Sequence, residues 1–148
     1  MRVSVEARLD RRAGIGKREA SEQVRRAALA TLEDQAVADA ELSIALVDDA
    51  MISELNERYL GHAGPTDVIS FALHEPGAPV VGDVYIGWDQ ALRQAQSLGI
   101  APREELARLA IHGTLHVLGF EHPEGADRER SAMWARQEAI LRRLEEDR

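Results

Sequence analysis

The chain is organised around the stretch Ile111-His112-Gly113-Thr114-Leu115-His116-Val117-Leu118-Gly119-Phe120-Glu121-His122, which holds three of its five histidines. His112 and His116 are four residues apart, so a helix would present both imidazoles on one face, one turn apart. Gly119 lets the chain leave that helix through a left-handed residue, and the turn can return His122 over the same face. Three converging imidazoles with a fourth position open to water are the ligand set of a catalytic zinc ion.

This spacing is that of the metalloprotease signature H-E-x-x-H-x-x-G-x-x-H, with one difference. Gly113 stands where the proteases carry the Glu that acts as general base on the metal-bound water. Glycine cannot move a proton, so the sequence predicts that the metal scaffold is kept and the base of the peptidase is missing. A zinc metalloprotease stays open as an alternative because of the spacing.

Two further interpretations of the histidines also stay open, a hydrogen-bonded structural cluster and a closed structural zinc site. A closed site needs a fourth protein ligand, usually Cys or His. The chain has no cysteine, and His62 and His74 are remote in the sequence. An open zinc position lowers the pKa of bound water to roughly 7 and polarises a phosphoryl oxygen, and phosphodiester hydrolysis needs both effects.

Length and composition indicate the class of protein. A chain of 148 residues is expected to form one domain, 1–148, and without cysteine it has no disulfide. It holds no run of 18 apolar residues, so we expect no membrane span. The first six residues alternate and include an acid, which differs from a signal peptide. We therefore expect a cytoplasmic protein.

The net charge of −8 argues against a general nucleic-acid coat, and we expect no DNA binding. The charge is uneven, since residues 1–26 hold eight basic and four acidic side chains while the remainder holds ten and twenty-two. An acidic protein can still bind RNA through one basic surface, with a smaller contribution from counterion release. We expect weak intrinsic RNA affinity and recruitment by a larger particle. Whether these arginines are only a solvated helix face stays open.

Hydrophobic periodicity predicts four strands and five helices. The predicted strands are 2–9, 42–46, 67–73 and 81–87, and a turn is predicted at 11–16. The predicted helices are 17–35, 49–59, 88–98, one from Pro102 through the histidines, and 126–143. We expect Asp49 to cap the second helix and Ile52, Leu55 and Tyr59 to form its inner face.

The order of these elements predicts an α+β fold. A strand, a helix and a strand favour a parallel pair with a right-handed crossover, and the short link between the third and fourth strands favours an antiparallel pair. We therefore expect a small mixed four-stranded sheet with helices packed mainly on one face. The histidine helix, similar to the metal helix of zinc proteases, should lie on this sheet and present its ligands to a cleft.

Two segments carry a resemblance to a known family. The first is His112-Gly113-x-Leu115-His116-x-x-Gly119-x-x-His122. The second is Gly64-Pro65-Thr66-Asp67-Val68-Ile69-Ser70-Phe71, which is similar to the pattern P-T-[DN]-V-[LI]-S-F; Leu55-Asn56 and Gly82-Asp83-Val84 also fit. Together they resemble the YbeY family of bacterial metal-dependent endoribonucleases, over residues 42–141.

This resemblance implies an enzyme, a hydrolase that acts as a single-strand-specific endoribonuclease. It implies a role in 16S rRNA 3′-end maturation, ribosome biogenesis and ribosome quality control. The implied partners are ribosomal or other single-stranded RNA and the ribosome or proteins of its small subunit. We expect one Zn²⁺ per chain, or another divalent metal, held by His112, His116 and His122. A non-catalytic ribosome-assembly factor with a structural metal is the main alternative.

The upstream segment predicts a substrate site. Thr66, Asp67 and Ser70 would lie at the start of a strand and along it, where they could line the cleft and bind phosphate or ribose. An ordinary turn, with Asp67 accepting from backbone N–H groups, is the alternative interpretation. The family match favours the role in the cleft without assigning a chemical step to any of the three.

The sequence departs from the family pattern between these two segments. Many members carry Arg where this chain has Leu60 and Asp where it has Ala63, and arginine is a natural phosphate binder. Arg58 and His62 are therefore catalytic candidates that could replace it. Glu121, where the family usually has Asp, could orient an imidazole or take part in proton transfer. A solvated acid is the alternative for Glu121.

Overall fold

The computed structural model describes residues 1–9, 15–123 and 125–147, apart from the side chain of Ala126. Its strands are β1 Arg2–Arg8, β2 Ala40–Val47, β3 Val68–Ala72 and β4 Val80–Gly87. Its helices are α1 Lys17–Asp34, α2 Asp49–Leu55, α3 Trp88–Leu98, α4 Pro102–Val117 and α5 Ala132–Glu146. A π-helical turn, Asn56–Leu60, extends α2, and a 3-10 helix, Gly125–Arg130, precedes α5. The turn predicted at 11–16 falls outside the described residues except for its last two positions.

The four strands form one mixed sheet in the order β1-β2-β4-β3. β1 pairs with β2 and β2 with β4 in parallel, while β3 and β4 pair antiparallel. The first parallel pair is joined by α1, as a crossover connection requires. The predicted α+β fold with a mixed four-stranded sheet is confirmed.

Most of the helices cover one face of this sheet. Leu42 and Leu46 of β2 are fully buried there in the main core, with side chains of α1, α4 and α5. Ala45 and Val47, which alternate with them, face the other way and form a small separate cluster with Ile52 of α2. Because side chains alternate along β2, its two faces contribute to two different cores. The site lies beside the larger of them.

Gly113 lets α4 lie very close to β3 and β4. A Cβ at this position would stand 2.6 Å from Cγ1 of Val84, 3.0 Å from Cγ2 of Val68 and 3.1 Å from Oγ of Ser70. The Ser70 hydroxyl donates a hydrogen bond of 2.9 Å to the carbonyl oxygen of Gly113. Because a side chain at 113 would push α4 away from the sheet, this glycine sets where the histidines stand relative to β3.

The second helix differs from its prediction at both ends. Asp48, not Asp49, caps α2, since its Oδ1 accepts from the Met51 N–H at 2.9 Å. The Asp49 carboxylate pairs instead with Arg93 through two hydrogen bonds of 2.9 Å. Beyond α2 the wider π-helical turn rotates the following residues. Tyr59, predicted on the inner face, is therefore 56% exposed.

The last helix begins later than predicted, at Ala132 and not at residue 126. Ser131 has an extended backbone and its Oγ accepts from the Trp134 N–H at 3.1 Å, which makes it the N-cap. The residues predicted as the first turns of α5 belong instead to the 3-10 helix. That short helix brings the side chain of Arg128 to the wall of the cleft described next.

Candidate metal centre

The three histidines of the central stretch meet in space. His112 and His116 project from one face of α4, and Gly119, with a φ of +100°, turns the chain so that His122 returns toward them. The ring centroids are 4.6 Å, 5.1 Å and 5.0 Å apart. One nitrogen from each ring lies within 4.8 Å of the others, so the cluster could hold a metal ion.

Backbone oxygens orient two of the three rings. Nδ1 of His116 lies 2.9 Å from the carbonyl oxygen of Phe120, and Nδ1 of His122 lies 3.0 Å from that of Pro123. A carbonyl oxygen can only accept, so each Nδ1 carries the proton and donates it. The Nε2 of each neutral ring is therefore left with a free lone pair.

A glutamine orients the third ring. Nδ1 of His112 lies 2.6 Å from Oε1 of Gln137. The amide of Gln137 is itself oriented by its other end, where Nε2 donates to Oε2 of Glu138 at 3.0 Å. Because a carboxylate only accepts, the amide oxygen has to face the ring. His112 is therefore in the same tautomer, with a free lone pair on Nε2, and this arrangement is usual for histidines that bind metals.

The free nitrogens of His112 and His116 are 3.1 Å apart. Two lone pairs repel at that distance unless a cation lies between them. In a tetrahedral zinc site with Zn–N bonds of about 2.0–2.1 Å, the ligand nitrogens are about 3.3 Å apart. The three imidazole donors and the spacing of this pair thus fit a divalent ion of the imidazole-binding group, to which zinc belongs.

The buried environment keeps two of the rings neutral. The pKa of His112 is lowered to about 3, mainly by burial and also by the nearby His116 and Arg128, which together outweigh the hydrogen bond to Gln137 that raises it. Burial also lowers the pKa of His116. Metal binding needs neutral imidazoles, so at neutral pH a cation would not have to displace protons from these two rings.

The cluster opens on a cleft that also receives the predicted substrate residues. Thr66, Asp67 and Ser70 lie along its wall, and Glu121 lies there with an exposed side chain. The Ser70 hydroxyl already donates to the α4 backbone. Thr66 and Asp67 are therefore better placed than Ser70 to donate to or accept from a bound ligand.

The two candidates for a replacement phosphate binder lie elsewhere. Leu60 lines the cleft, but within the described ranges neither Arg58 nor His62 does so. Both side chains are exposed, and the guanidinium of Arg58 lies over the ring of Tyr59, 5.6 Å from its centroid. Their catalytic role stays a prediction that the geometry does not favour.

Sequence reasoning missed two residues of the site, Gln137 and Arg128. Gln137 is 1% exposed and occupies a position between Met133 and Leu141 in the apolar stripe of α5. A polar residue at such a position was the available signal. Arg128 belongs to a run of charged residues that resembles an ordinary solvated surface, so no signal distinguished it.

Known proteins resemble this chain over most of its length. The family model described as Endoribonuclease YbeY matches residues 7–145. A relative of that name from Moorella thermoacetica is 46% identical over 114 residues, which are 70% of this chain and 72% of the relative. Another, from Roseiflexus castenholzii, is 42% identical over 127 residues, 80% of this chain and 79% of the relative.

A solved structure agrees with the fold. The solution structure of a Thermotoga maritima protein superposes with a TM-score of 0.66 at 22% identity, covering 99% of this chain and 91% of the other. At that identity the likeness supports the architecture alone. With the family match and the relatives above, and as its two sequence signatures predicted, the chain belongs to the YbeY family.

Proposed function

We propose that this chain is a metal-dependent endoribonuclease that hydrolyses phosphodiester bonds of single-stranded RNA. The observation that carries the proposal is the set of free imidazole nitrogens on the wall of an open cleft, in a chain whose relatives are named endoribonucleases. A divalent cation bound there would activate water and polarise a phosphoryl oxygen. Zn²⁺, one per chain, is the proposed ion.

Each part of the cleft has a role in this proposal. His112, His116 and His122 hold the ion, and the hydrogen bonds to their Nδ1 atoms keep the rings in the tautomer that can bind it. Thr66 and Asp67 bind the phosphate or ribose of the RNA strand. Among the catalytic candidates Glu121 comes first, because it lines the cleft, while Arg58 and His62 do not line it.

The cellular part of the proposal follows from family membership. We propose that the chain, as a single domain of residues 1–148, acts in 16S rRNA 3′-end maturation, ribosome biogenesis and ribosome quality control. It would work in the cytoplasm with the ribosome or proteins of its small subunit. Among the helices that the structure describes, none has both the length and the apolar character to cross a membrane.

Elemental analysis of the purified protein, paired with a cleavage assay on single-stranded RNA, tests the activity. We expect about one divalent ion per chain, cleavage that a chelator abolishes, and recovery on adding Zn²⁺. Double-stranded RNA is the matched substrate control and should be cleaved more slowly. Cleavage that is indifferent to the chelator would contradict a metal-dependent mechanism.

A non-catalytic assembly factor with a structural metal is the second candidate. The observation in its favour is the apolar Leu60 in the cleft, at the position where many family members carry Arg. The two candidates differ in what the metal does. A large rise in melting temperature with metal, without RNA cleavage by the loaded protein, would favour the assembly factor.

A peptidase is disfavoured by the position of Gly113. The general base of the metalloproteases would be attached here, where a Cβ would stand 2.6 Å from Cγ1 of Val84. The backbone of Gly113 thus lies against the sheet, and a glutamate could not be accommodated without moving α4. Casein digestion that a chelator stops would restore this alternative.

A further inference from the structure

One arginine, Arg128, lies between the cleft and a second cavity behind it. It belongs to the 3-10 helix Gly125–Arg130 and lines both spaces. Its Nη2 lies 3.4 Å from Nε2 of His112, which is the nitrogen left free by the bond from the same ring to Gln137. The guanidinium therefore stands next to the point where the three histidines converge.

Arg128 lacks the partners that the other well-placed arginines have. In the part of the chain that the structure describes, its buried Nε has no hydrogen-bond partner and no carboxylate forms an ion pair with it. Arg93 and Arg108, by contrast, each donate two hydrogen bonds to a carboxylate. A buried donor without a partner costs free energy, so this position favours an acceptor that the protein itself does not supply.

A cation on the histidine cluster would free the guanidinium. Nε2 of His112 has a single lone pair, so it cannot accept from Arg128 and face a metal ion at once. Two positive groups this close repel each other unless an anion lies between them. The planar fork of an arginine matches a phosphate, so a phosphate is the anion that both positive groups could share.

We propose that Arg128 is the phosphate-binding residue of this cleft and holds the RNA phosphate that lies against the histidine cluster. This assignment rests on the nuclease function proposed above and adds the residue that recognises the charge of the substrate. Many family members carry an arginine where this chain has Leu60. Arg128, in the segment after His122, would supply the positive charge that Leu60 does not. Arg130, exposed on the same short helix and outside the lining of the cleft, provides a matched control.

Phosphate binding to the Co²⁺-loaded protein tests the assignment without requiring RNA cleavage. Inorganic phosphate is titrated into the wild type, Arg128→Gln, Arg128→Lys and Arg130→Gln, and followed by calorimetry and Co²⁺ absorption. Loss of a charged hydrogen bond predicts roughly 10- to 100-fold weaker phosphate binding for Arg128→Gln. The loss should be smaller for Arg128→Lys, which keeps the charge, and absent for Arg130→Gln.

Metal affinity separates this role from a structural one. Arg128→Gln should bind Co²⁺ at least as tightly as the wild type, because a competing positive group has been removed. Loss of Co²⁺ from both Arg128→Gln and Arg128→Lys would overturn the assignment, because it would indicate a structural role. The assignment also fails if the wild type binds no phosphate or if Arg128→Gln binds phosphate as tightly as the wild type. It fails as well if Arg130→Gln loses as much phosphate affinity as Arg128→Gln.

RNA kinetics then distinguish this assignment from the proposed function. The KM for single-stranded RNA should rise in Arg128→Gln at unchanged metal content. A wild type that binds phosphate through Arg128 but cleaves no RNA would remove the nuclease proposal and leave the assignment of Arg128 in place.

Discussion

Two polar clusters lie on successive turns of the same face of α4, and they differ in how their buried groups are satisfied. Glu105 and Arg108 begin the face, and His112 and His116 continue it, at spacings of three or four residues that keep all four together. The first two form, with Glu138 of α5, the ion-pair cluster. The other two form, with His122, the histidine cluster.

The ion-pair cluster is closed on itself. Arg108 donates to Oε1 of Glu105 at 2.7 Å and to the two oxygens of Glu138 at 2.9 Å and 3.0 Å. The other oxygen of Glu105 accepts from Nε2 of Gln94 at 2.6 Å. Each carboxylate oxygen thus has a partner within the protein. The cluster joins α3, α4 and α5 behind the cleft.

The histidine cluster is satisfied on one side only. Its Nδ1 atoms have oxygen partners, while the Nε2 atoms of His112 and His116 face each other at 3.1 Å, with Nη2 of Arg128 at 3.4 Å from Nε2 of His112. Buried polar groups are normally paired, and exceptions call for a specific explanation. The ion-pair cluster thus joins the helices to one another, whereas the histidine cluster keeps nitrogens that could hold a metal ion.

The largest expected effect comes from removing a ring of the histidine cluster. His112→Ala should abolish metal binding and RNA cleavage, because the two remaining imidazoles cannot hold the ion. This loss should exceed the roughly 10- to 100-fold that a supporting residue contributes to metal affinity. Elemental analysis and the cleavage assay measure it, with the exposed His62→Ala as control for metal content. A metal-free His112→Ala that still cleaves RNA would overturn the mechanism.

Breaking the ion-pair cluster should lower the free energy of unfolding, even in the metal-free protein. Arg108→Ala leaves two largely buried carboxylates without their cation, which predicts a loss of about 3–5 kcal/mol in the free energy of unfolding. Urea denaturation of the metal-free protein measures it. Arg93→Ala, which removes an exposed pair with Asp49, should cost less than about 1 kcal/mol. Equal losses for the two variants would show that the buried cluster has no special role.

His112 and Glu105 should make contributions of opposite sign to the pH dependence of stability in the metal-free protein. The pKa of His112 is about 3 in the folded chain against 6.5 unfolded, so its contribution to stability is complete above pH 6.5 and is lost as the pH falls toward 3. Burial raises the pKa of Glu105 against its hydrogen bonds from Arg108 and Gln94. The contribution of Glu105 is therefore present below its unfolded pKa of 4.5 and is lost as the pH rises. Burial raises the pKa of Glu138, but its hydrogen bonds from Arg108 and Gln137 outweigh that effect and lower it, so Glu138 acts in the same direction as His112.

As the pH falls from 6.5 to 5, the free energy of unfolding of the wild type should drop by about 2 kcal/mol, because His112 takes up a proton only in the unfolded chain. His116, whose pKa burial also lowers, acts in the same direction. His112→Asn should flatten this dependence, and His62→Asn should leave it unchanged. Chemical denaturation at several pH values, with chelator present, measures the slopes. A slope in His112→Asn as steep as that of the wild type would contradict the assignment.

A smaller effect on metal binding than the loss of a ring is expected at Gln137, the residue that joins the two clusters. Gln137→Leu removes the acceptor for Nδ1 of His112, so the ring loses its preferred tautomer and metal affinity should fall about 10- to 100-fold. Gln137→Glu keeps an acceptor there and should recover most of the affinity. Competition with a chromophoric chelator measures both variants. Equal affinities for Gln137→Leu and the wild type would show that the rings need no such support.

Local physics explains why much of the fold and the histidine cluster could be predicted. A helical period, a glycine after the last turn and alternation in the strands depend on neighbours a few residues away. The errors have local causes too. Asp48 and Asp49 compete for the same cap, and only Asp48 reaches the N–H of Met51. Near the other end of the chain, Ser131 caps α5 through the N–H of Trp134, so the helix begins later than the predicted residue 126.

The remaining features of the site depend on residues far apart in the sequence. Gln137 reaches His112 only because α5 packs against α4. Arg128 reaches the cleft because a 3-10 helix, and not the first turns of α5, follows His122. No spacing rule encodes such contacts.

The sequence alone determined most of the elements, the mixed sheet, and two imidazoles on one helix face with a third after the glycine, because each follows from periodicity and short-range sterics. The tertiary structure decided which nitrogen of each ring is free, how closely Gly113 lets α4 approach the sheet, and which arginine faces the cluster. Those outcomes depend on the packing of helix against helix and helix against sheet. Such packing brings together groups whose separation along the chain carries no information about their distance in space.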